Sequence, residues 1–157
     1  MAENKFLPKL SQNLLEILDD EEYYDIIIEV GNDPNVKIFR AHMVILNYRS
    51  PYFRRILSTN KKKNDGTLSH IKLPNILPEI FQIIIRYIYG GKISLVDYDI
   101  LDIIKILAAV NELSLRELIS HYHEYKLSHI NKIEDQKRRN IYFYKDKDVG
   151  IRFLTEK

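Results

Sequence analysis

The stretch from residue 25 to residue 57 constrains the fold more than any other part of the chain. Residues 25–30 and 36–41 alternate their apolar side chains between two faces, which is the pattern of β-strands. The intervening residues 31–35 include glycine, asparagine, aspartate and proline, which favour tight turns. The two strands are therefore expected to form a β-hairpin. From residue 42 the apolar period becomes that of short helices, so the sequence predicts a mixed fold.

The other predicted elements surround this hairpin. Residues 71–73 are expected to form a third strand, and residues 92–95 a further short strand. The 78–89 helix is apolar on nearly all sides, which places it at the centre of a core. We therefore predict the α/β (α+β) class, with a small sheet flanked by a cluster of short helices. The predicted helices are 42–48, 51–58, 78–89, 99–112 and 115–125.

Residues with capping side chains mark the starts of three helices. Ser50 stands before a proline, which is favoured at the first helical position. Either Asp97 or Asp99 is expected to cap the next-to-last helix. Ser114 and Glu117 have the spacing of a capping box, which predicts that Ser114 begins the last helix.

Residues 6–18 predict a short amphipathic helix near the N-terminus. An isolated helix of this length is marginal in water, so it needs an apolar surface to pack against. That surface is either the core of the same chain, which the helix would cover as a lid, or a second copy of the protein.

Composition narrows the classes of function. The formal net charge of +2 gives no general attraction to nucleic acid or to anionic membranes. Because the chain has no cysteine, disulfides, thiolate metal sites and cysteine nucleophiles are excluded. No run of residues approaches the roughly 20 apolar residues that span a bilayer. We expect a soluble protein of the cytoplasm, the nucleus or both, without a membrane partner.

Catalytic and metal-binding motifs do not emerge from the sequence. His121 and His123 are two residues apart and would point to different sides of a helix, whereas a zinc-binding pair needs a spacing of four. The chain has neither a G-x-S-x-G nucleophile elbow nor a P-loop. We therefore expect no enzymatic activity, no metal and no cofactor.

Two basic clusters, residues 61–63 and 137–139, raise nucleic-acid binding as an alternative from another class. Aromatic residues 142–144 would suit stacking on bases. Asp146 and Asp148 lie close by and would repel phosphates. Direct nucleic-acid binding is therefore not the favoured function.

Several motifs in order resemble the BTB/POZ family. The resemblance covers about residues 22–118 and implies a protein–protein interaction module that acts as a homodimerising adaptor or scaffold. It divides the chain into an N-terminal helical extension (1–21), a BTB/POZ domain (22–120) and a divergent tail (121–157). The matching motifs are Tyr24-Asp25-Ile26, Phe39-Arg40-Ala41-His42, Ser50-Pro51-Tyr52-Phe53, Ile71-Lys72-Leu73-Pro74 and Tyr87-Ile88-Tyr89-Gly90-Gly91. Residues given a structural role by the match are His42, Ser50, Tyr89 and Gly91.

The resemblance also implies a dimer interface, because longer members of the family exchange such an N-terminal helix across a twofold axis. Asp25 matches an aspartate of a charged pocket near that interface. Transcription-factor members complete the pocket with a basic residue where this chain has Met43, which disfavours their corepressor groove here. Asp25 is then solvated, or caps a helix, or is reached by Arg40 or Arg49. The implied interface residues are Leu10, Leu14, Leu15, Leu18, Asp25, Met43 and Asn47.

Two alternatives to a plain dimeric scaffold follow from branches of the same family. The ubiquitin-ligase branch binds a cullin scaffold through the loop after the second short helix, where its adaptors often carry a glutamate. Residues 56–68 contain no glutamate, which weakens this alternative. The other alternative is a transcription-regulator type, or a nucleic-acid-associated protein that uses the basic tail. The implied cullin surface consists of Phe53, Arg54, Leu57, Lys62 and Asp65.

Overall fold

The computed structural model describes residues 5–20, 22–60, 69–95, 98–120 and 122. The chain forms two units, Met1–Arg116 and Glu117–Lys157. A sheet and five helices build the first unit. In the second unit, the described residues are 117–120 and 122, and they are helical.

Three strands form the sheet, in the order β2-β1-β3. The first two strands pair antiparallel, so that Ile28 lies opposite Phe39, and β3 pairs parallel to β1. The predicted hairpin and third strand are thereby confirmed. A parallel pair needs a crossover connection, which the helices between β2 and β3 provide. The strands are β1 (Ile26–Val30), β2 (Lys37–Ala41) and β3 (Ser69–Leu73).

Five helices match the predicted ones to within two residues at each end. For the sixth predicted helix, 115–125, the described residues 116–120 and 122 are helical, and the others after residue 120 lie outside the described residues. The helices are α1 (Leu7–Asp19), α2 (Met43–Arg49), α3 (Pro51–Asn60), α4 (Pro78–Gly90) and α5 (Ile100–Glu112).

The core is organised around α4, as its apolar sequence predicts. Eight of its thirteen residues are buried, which places apolar contacts on most sides of the helix. Phe81 packs edge-on against Phe39 of the sheet, with ring centroids 5.0 Å apart. Ile26 and Ile28 of β1 are fully buried beside them.

Two predicted helix caps are present. Ser50 Oγ accepts a hydrogen bond from the Phe53 N–H at 3.3 Å and donates one to the Leu113 carbonyl at 2.9 Å. This buried hydroxyl therefore ties the start of α3 to the end of α5. At the start of α5, Asp99 Oδ1 accepts from the Asp102 N–H at 2.8 Å, so Asp99 is a cap of this helix.

The prediction that Ser114 begins the last helix is wrong. Ser114 has φ +57°, and the next helix begins at residue 116. The Leu115 N–H bonds the Val110 carbonyl at 3.0 Å, and the Ser114 N–H bonds the Asn111 carbonyl at 3.1 Å. This pair of bonds is the Schellman ending of a helix. It brings Leu115 into the core, where the residue is 1% exposed, and that burial outweighs the local capping pattern.

Two predictions concern the end of α4: the prediction for Gly91 is confirmed, and the strand predicted for residues 92–95 is absent from the structure. Gly91 adopts φ +67° and its N–H bonds the Tyr87 carbonyl at 2.8 Å, so it ends the helix as expected. Residues 92–95, which the structure describes, are not in a strand. Leu95 of these four is buried, but the segment does not pair with any of the three strands of the described sheet.

Candidate functional site

Helix α1 lies on the surface, and none of its residues, all of which the structure describes, is buried. Three of its side chains hold it to α4. Ser11 Oγ donates to the Gly90 carbonyl, Leu15 packs against the Gly90 backbone, and Asp19 pairs with Arg86 at 2.8 Å. The three α1 residues are four apart in sequence, so they share one face of the helix.

A second stripe of α1 is apolar and runs beside this attachment. Its members are separated by three, four and three residues, the spacing with which one helix packs along another. In this orientation α1 covers the end of α4 and still presents apolar surface outward. The stripe consists of Leu7, Leu10, Leu14 and Ile17.

A groove with a volume of about 610 Å³ lies between α1 and α2. Residues of α4, including Ile88 and Tyr89, also line it, and its rim carries Arg49 and Lys92. Two α2 residues that line the groove are largely exposed, although both are apolar or aromatic. We refer to the outer stripe of α1 and these two residues as the α1–α2 face: Leu7, Leu10, Leu14, Ile17, Val44 and Tyr48.

The start of α2 is fixed by Asp25. Asp25 Oδ1 accepts a hydrogen bond from the Met43 N–H at 2.6 Å, and Met43 is the first residue of the helix. A carboxylate at a helix N-terminus satisfies a free N–H and interacts favourably with the helix dipole. Among the alternatives that the sequence left open for Asp25, the structure therefore gives it a capping role.

Side chains beneath the groove join α2 to α4. The Tyr89 hydroxyl accepts from the His42 N–H at 2.8 Å and lies 3.0 Å from His42 Nδ1. Burial raises the pKa of Tyr89 to about 12, with the backbone bond from His42 opposing and Asp25 adding to the rise. Arg49 Nε donates to the Ile88 carbonyl at 3.1 Å. These bonds join α2 to α4, and both helices line the groove.

Of the seven residues implied for a dimer interface, Asp25 and Met43 are hydrogen-bonded to each other, whereas the four α1 leucines do not share one surface. Leu10 and Leu14 line the groove, whereas Leu15 faces Gly90. Leu18 lines a different cavity of about 270 Å³, beside β2. Leu14 and Leu15 are neighbours in the helix and point about 100° apart, so these two leucines cannot share one side.

Sequence reasoning missed four members of the α1–α2 face, namely Leu7, Ile17, Val44 and Tyr48. Leu7 extends the outer stripe by one turn, and Val44 and Tyr48 are four residues apart on α2. The signal for the last two was their i, i+4 spacing. The sequence alone does not show which face of α2 is covered, so it does not assign these two residues to a partner surface.

The surface implied for a cullin partner needs a correction. Phe53 is fully buried and Leu57 is 4% exposed, so neither side chain is available to a partner. They are four residues apart on the inner face of α3, which explains their burial. Arg54 is exposed, and its Nε donates to the Asn47 carbonyl at 2.9 Å. Residues 62 and 65 lie outside the described residues.

A second exposed apolar patch occupies the first turns of α5 and consists of Ile100, Leu101 and Ile104. No group of three or more histidine, aspartate or glutamate side chains in the described part of the chain could hold a metal ion. No helix among the described residues is long and apolar enough to cross a bilayer. The basic tail at residues 137–144 lies outside the part that the structure describes.

Comparison with known proteins gives the same architecture. The model of the BTB/POZ domain matches residues 14–130. Kelch-like protein 41b of Danio rerio is 26% identical over 122 residues, which cover 78% of this chain and 20% of that protein. BTB/POZ domain-containing protein 9 of Rattus norvegicus is 30% identical over 122 residues, covering 78% of this chain and 19% of that protein. The chain thus spans about a fifth of the length of these relatives.

Two solved structures share the fold at lower identity. The BTB domain of zebrafish PATZ1 superposes with a TM-score of 0.61 at 22% identity, over 80% of this chain and 94% of that one. The BTB domain of human gigaxonin gives a TM-score of 0.62 at 21% identity, with the same coverage. The predicted fold class is therefore confirmed.

Proposed function

Because this chain belongs to the BTB/POZ domain family, whose domains self-associate and mediate protein–protein interactions, we propose that it is a homodimerising adaptor. It acts by binding and carries out no chemistry of its own. The α1–α2 face is the observation that carries this proposal. Two helices present apolar side chains around one groove. Asp25 accepts a hydrogen bond from the Met43 N–H at the start of α2, and Ser11 and Arg49 donate hydrogen bonds to carbonyls of α4, so that both helices are held in place.

A second copy of the chain suits this face for a geometric reason. In a twofold dimer each copy contributes the same patch, so the patch must be complementary to itself. The outer stripe of α1 has the spacing of helix-to-helix packing and can lie along the same stripe of a partner. Association would also remove from water the exposed Val44 and Tyr48 side chains.

Thiol labelling tests the position of the interface, because the chain contains no cysteine of its own. Val44→Cys places a thiol on the α1–α2 face, where Val44 is 61% exposed. Leu101→Cys is the matched control on α5, where Leu101 is 64% exposed. We expect alkylation of Val44→Cys to slow as the protein is concentrated, while Leu101→Cys reacts at a constant rate. Equal rates at all concentrations for both variants would contradict the proposal.

Recruitment of a cullin scaffold is the second candidate function, from the ubiquitin-ligase branch that the sequence resembles. The described part of the relevant surface is the outer side of α3, where Arg54 and Arg55 are exposed. Titration with a purified cullin N-terminal domain tests it. If this surface binds, Arg54→Glu weakens the interaction by about tenfold or more, because it reverses a charge at the contact. Absence of binding by the unmodified chain would rule this function out.

A further inference from the structure

Two adjacent glycines, Gly90 and Gly91, lie at the end of α4, and a different physical reason explains the glycine at each position. Gly91 has φ +67°, and no described atom lies within 4 Å of the position that its Cβ would take. Its backbone conformation therefore explains the residue. Gly90 is the last residue of the helix and does not have a positive φ, so its conformation suits any residue. Another explanation is needed for Gly90.

That explanation lies in its contact with α1. A Cβ on Gly90 would lie 3.0 Å from Leu15 Cγ, 3.0 Å from Cδ1 and 3.1 Å from Cδ2. Carbon atoms pack best at about 3.5–4.0 Å, so a methyl group here would be too close to three atoms at once. The backbone of Gly90 thus forms a shallow depression that accepts the branched end of the Leu15 side chain.

Contacts on either side of Leu15 keep it at this depth. One turn earlier, Ser11 Oγ bonds the Gly90 carbonyl, and one turn later Asp19 pairs with Arg86. A Cβ on Gly90 would therefore displace either the branched end of Leu15 or the helix that carries it. No residue of α1 is fully buried, and Leu14, Leu15 and Leu18 are half-buried, so the helix keeps only a partial apolar contact with the rest of the domain.

We propose that Gly90 is a positioning residue for α1, which we call the seat of this helix. Because Gly90 has no side chain, Leu15 can approach the α4 backbone closely, and this approach sets the position of the outer stripe of α1 relative to α2. Its consequence for association rests on the proposed function, because the seated helix supplies four of the six residues of the α1–α2 face. The partner that this arrangement fits is a second copy with its own α1 seated in the same way.

The proposal predicts effects of opposite sign in one variant. Alanine is a better helix former than glycine, so Gly90→Ala should leave the unfolding temperature of the domain unchanged or raise it. The same methyl group should displace α1. Self-association should then weaken about tenfold or more, as expected from an overpacked contact. A residue with a merely structural role would move both properties in the same direction.

Amide hydrogen exchange in α1, measured on dilute protein, tests the seat independently of association. We expect Gly90→Ala to accelerate this exchange about tenfold or more. Leu15→Ala keeps the Ser11 and Asp19 contacts and should have a smaller effect. The double variant has room for the new methyl group, so its exchange should return to that of Leu15→Ala alone. Sedimentation of the same four proteins then reports their association.

Two results would overturn the proposal that Gly90 positions α1. One is unchanged α1 exchange in Gly90→Ala, and the other is a double variant whose exchange remains as fast as that of Gly90→Ala. A third result separates this inference from the proposed function. If Gly90→Ala accelerates α1 exchange and the mass in solution does not change, α1 is seated by Gly90 but the association face lies elsewhere.

Discussion

Replacing Leu10 by alanine removes apolar surface from the outer stripe of α1 without opening a cavity in the core, because Leu10 is 54% exposed. The substitution deletes three carbon groups, each worth about 0.8 kcal/mol when fully buried. Only the exposed half of that surface remains to be buried on association, which gives about 1.3 kcal/mol for each copy. A twofold interface contains the residue twice, so the expected loss is about 2.6 kcal/mol.

This loss corresponds to a dissociation constant about 80-fold larger than that of the unmodified protein. Sedimentation equilibrium over a range of concentrations measures it directly. Ile104→Ala is the matched control, since Ile104 is 58% exposed on α5 and loses the same number of carbon groups. Alanine favours the helix at both positions, so neither helix should unfold.

The reasoning would be refuted in either of two ways. Leu10→Ala could leave the dissociation constant within about threefold of the unmodified value, a difference of well under 1 kcal/mol. Alternatively, Ile104→Ala could weaken association as much as Leu10→Ala does. In the second case the apolar patch on α5 would belong to the interface.

Three further predictions concern the stability of the domain. Ser50→Ala should lower the free energy of unfolding by about 2 kcal/mol in urea titrations, because it removes a helix cap and leaves the buried Leu113 carbonyl without its 2.9 Å hydrogen bond. Ser114→Gly should raise the unfolding free energy by about 1 kcal/mol in the same assay, because Ser114 has φ +57°. The pKa of Tyr89 is about 12 in the folded protein and 10.0 in the reference state, so folding favours the neutral hydroxyl. This preference contributes about 3 kcal/mol to the free energy of unfolding below pH 10, and the contribution is lost as the pH rises to 12. Urea titrations across that range should show a shallower decline for Tyr89→Phe.

Each of these predictions has a clear contrary result. Ser50→Ala with unchanged stability would mean that the buried carbonyl finds another donor. A destabilised Ser114→Gly would mean that the serine side chain contributes more than its backbone conformation costs. An equally steep decline above pH 10 with and without the Tyr89 hydroxyl would assign the loss to other groups.

The sheet and the helices were predictable because each has a local signal. Residues 26–30 are rich in β-branched side chains and alternate in burial, and Gly91 takes the left-handed backbone conformation that ends a helix. The apolar sequence of α4 likewise predicted its central place in the core. In these elements the local preference and the tertiary packing favour the same structure.

Local patterns failed where distant packing decides between two structures. Ser114 and Glu117 fit a capping box at the start of the last helix. In the structure Ser114 instead belongs to the end of α5, because the turn formed there brings Leu115 into the core. The role of Asp25 depends on a hydrogen bond to a residue 18 positions away, which sequence spacing does not specify. Phe53 was placed on a partner surface by family resemblance, although its helical spacing with Leu57 indicated the core.

The division of the α1 leucines shows the same principle within one helix. An apolar helix predicts that some side will be covered, but the covered side depends on the shape of its neighbour. Here the neighbour is Gly90, which has no side chain, so that its backbone contacts Leu15 while Leu10 remains half-exposed at the groove. The sequence indicates only that Gly90 lies at the end of a helix. Its contact with Leu15 also determines which leucines of α1 remain available to a partner.

The mass of the protein in solution tests self-association most directly. The chain has a mass of 18.7 kDa, so light scattering at tens of micromolar should give twice that value if copies pair through the α1–α2 face. The mass should fall toward 18.7 kDa on dilution, and Leu10→Ala should shift that fall to higher concentration. A mass of 18.7 kDa at every concentration would contradict the account.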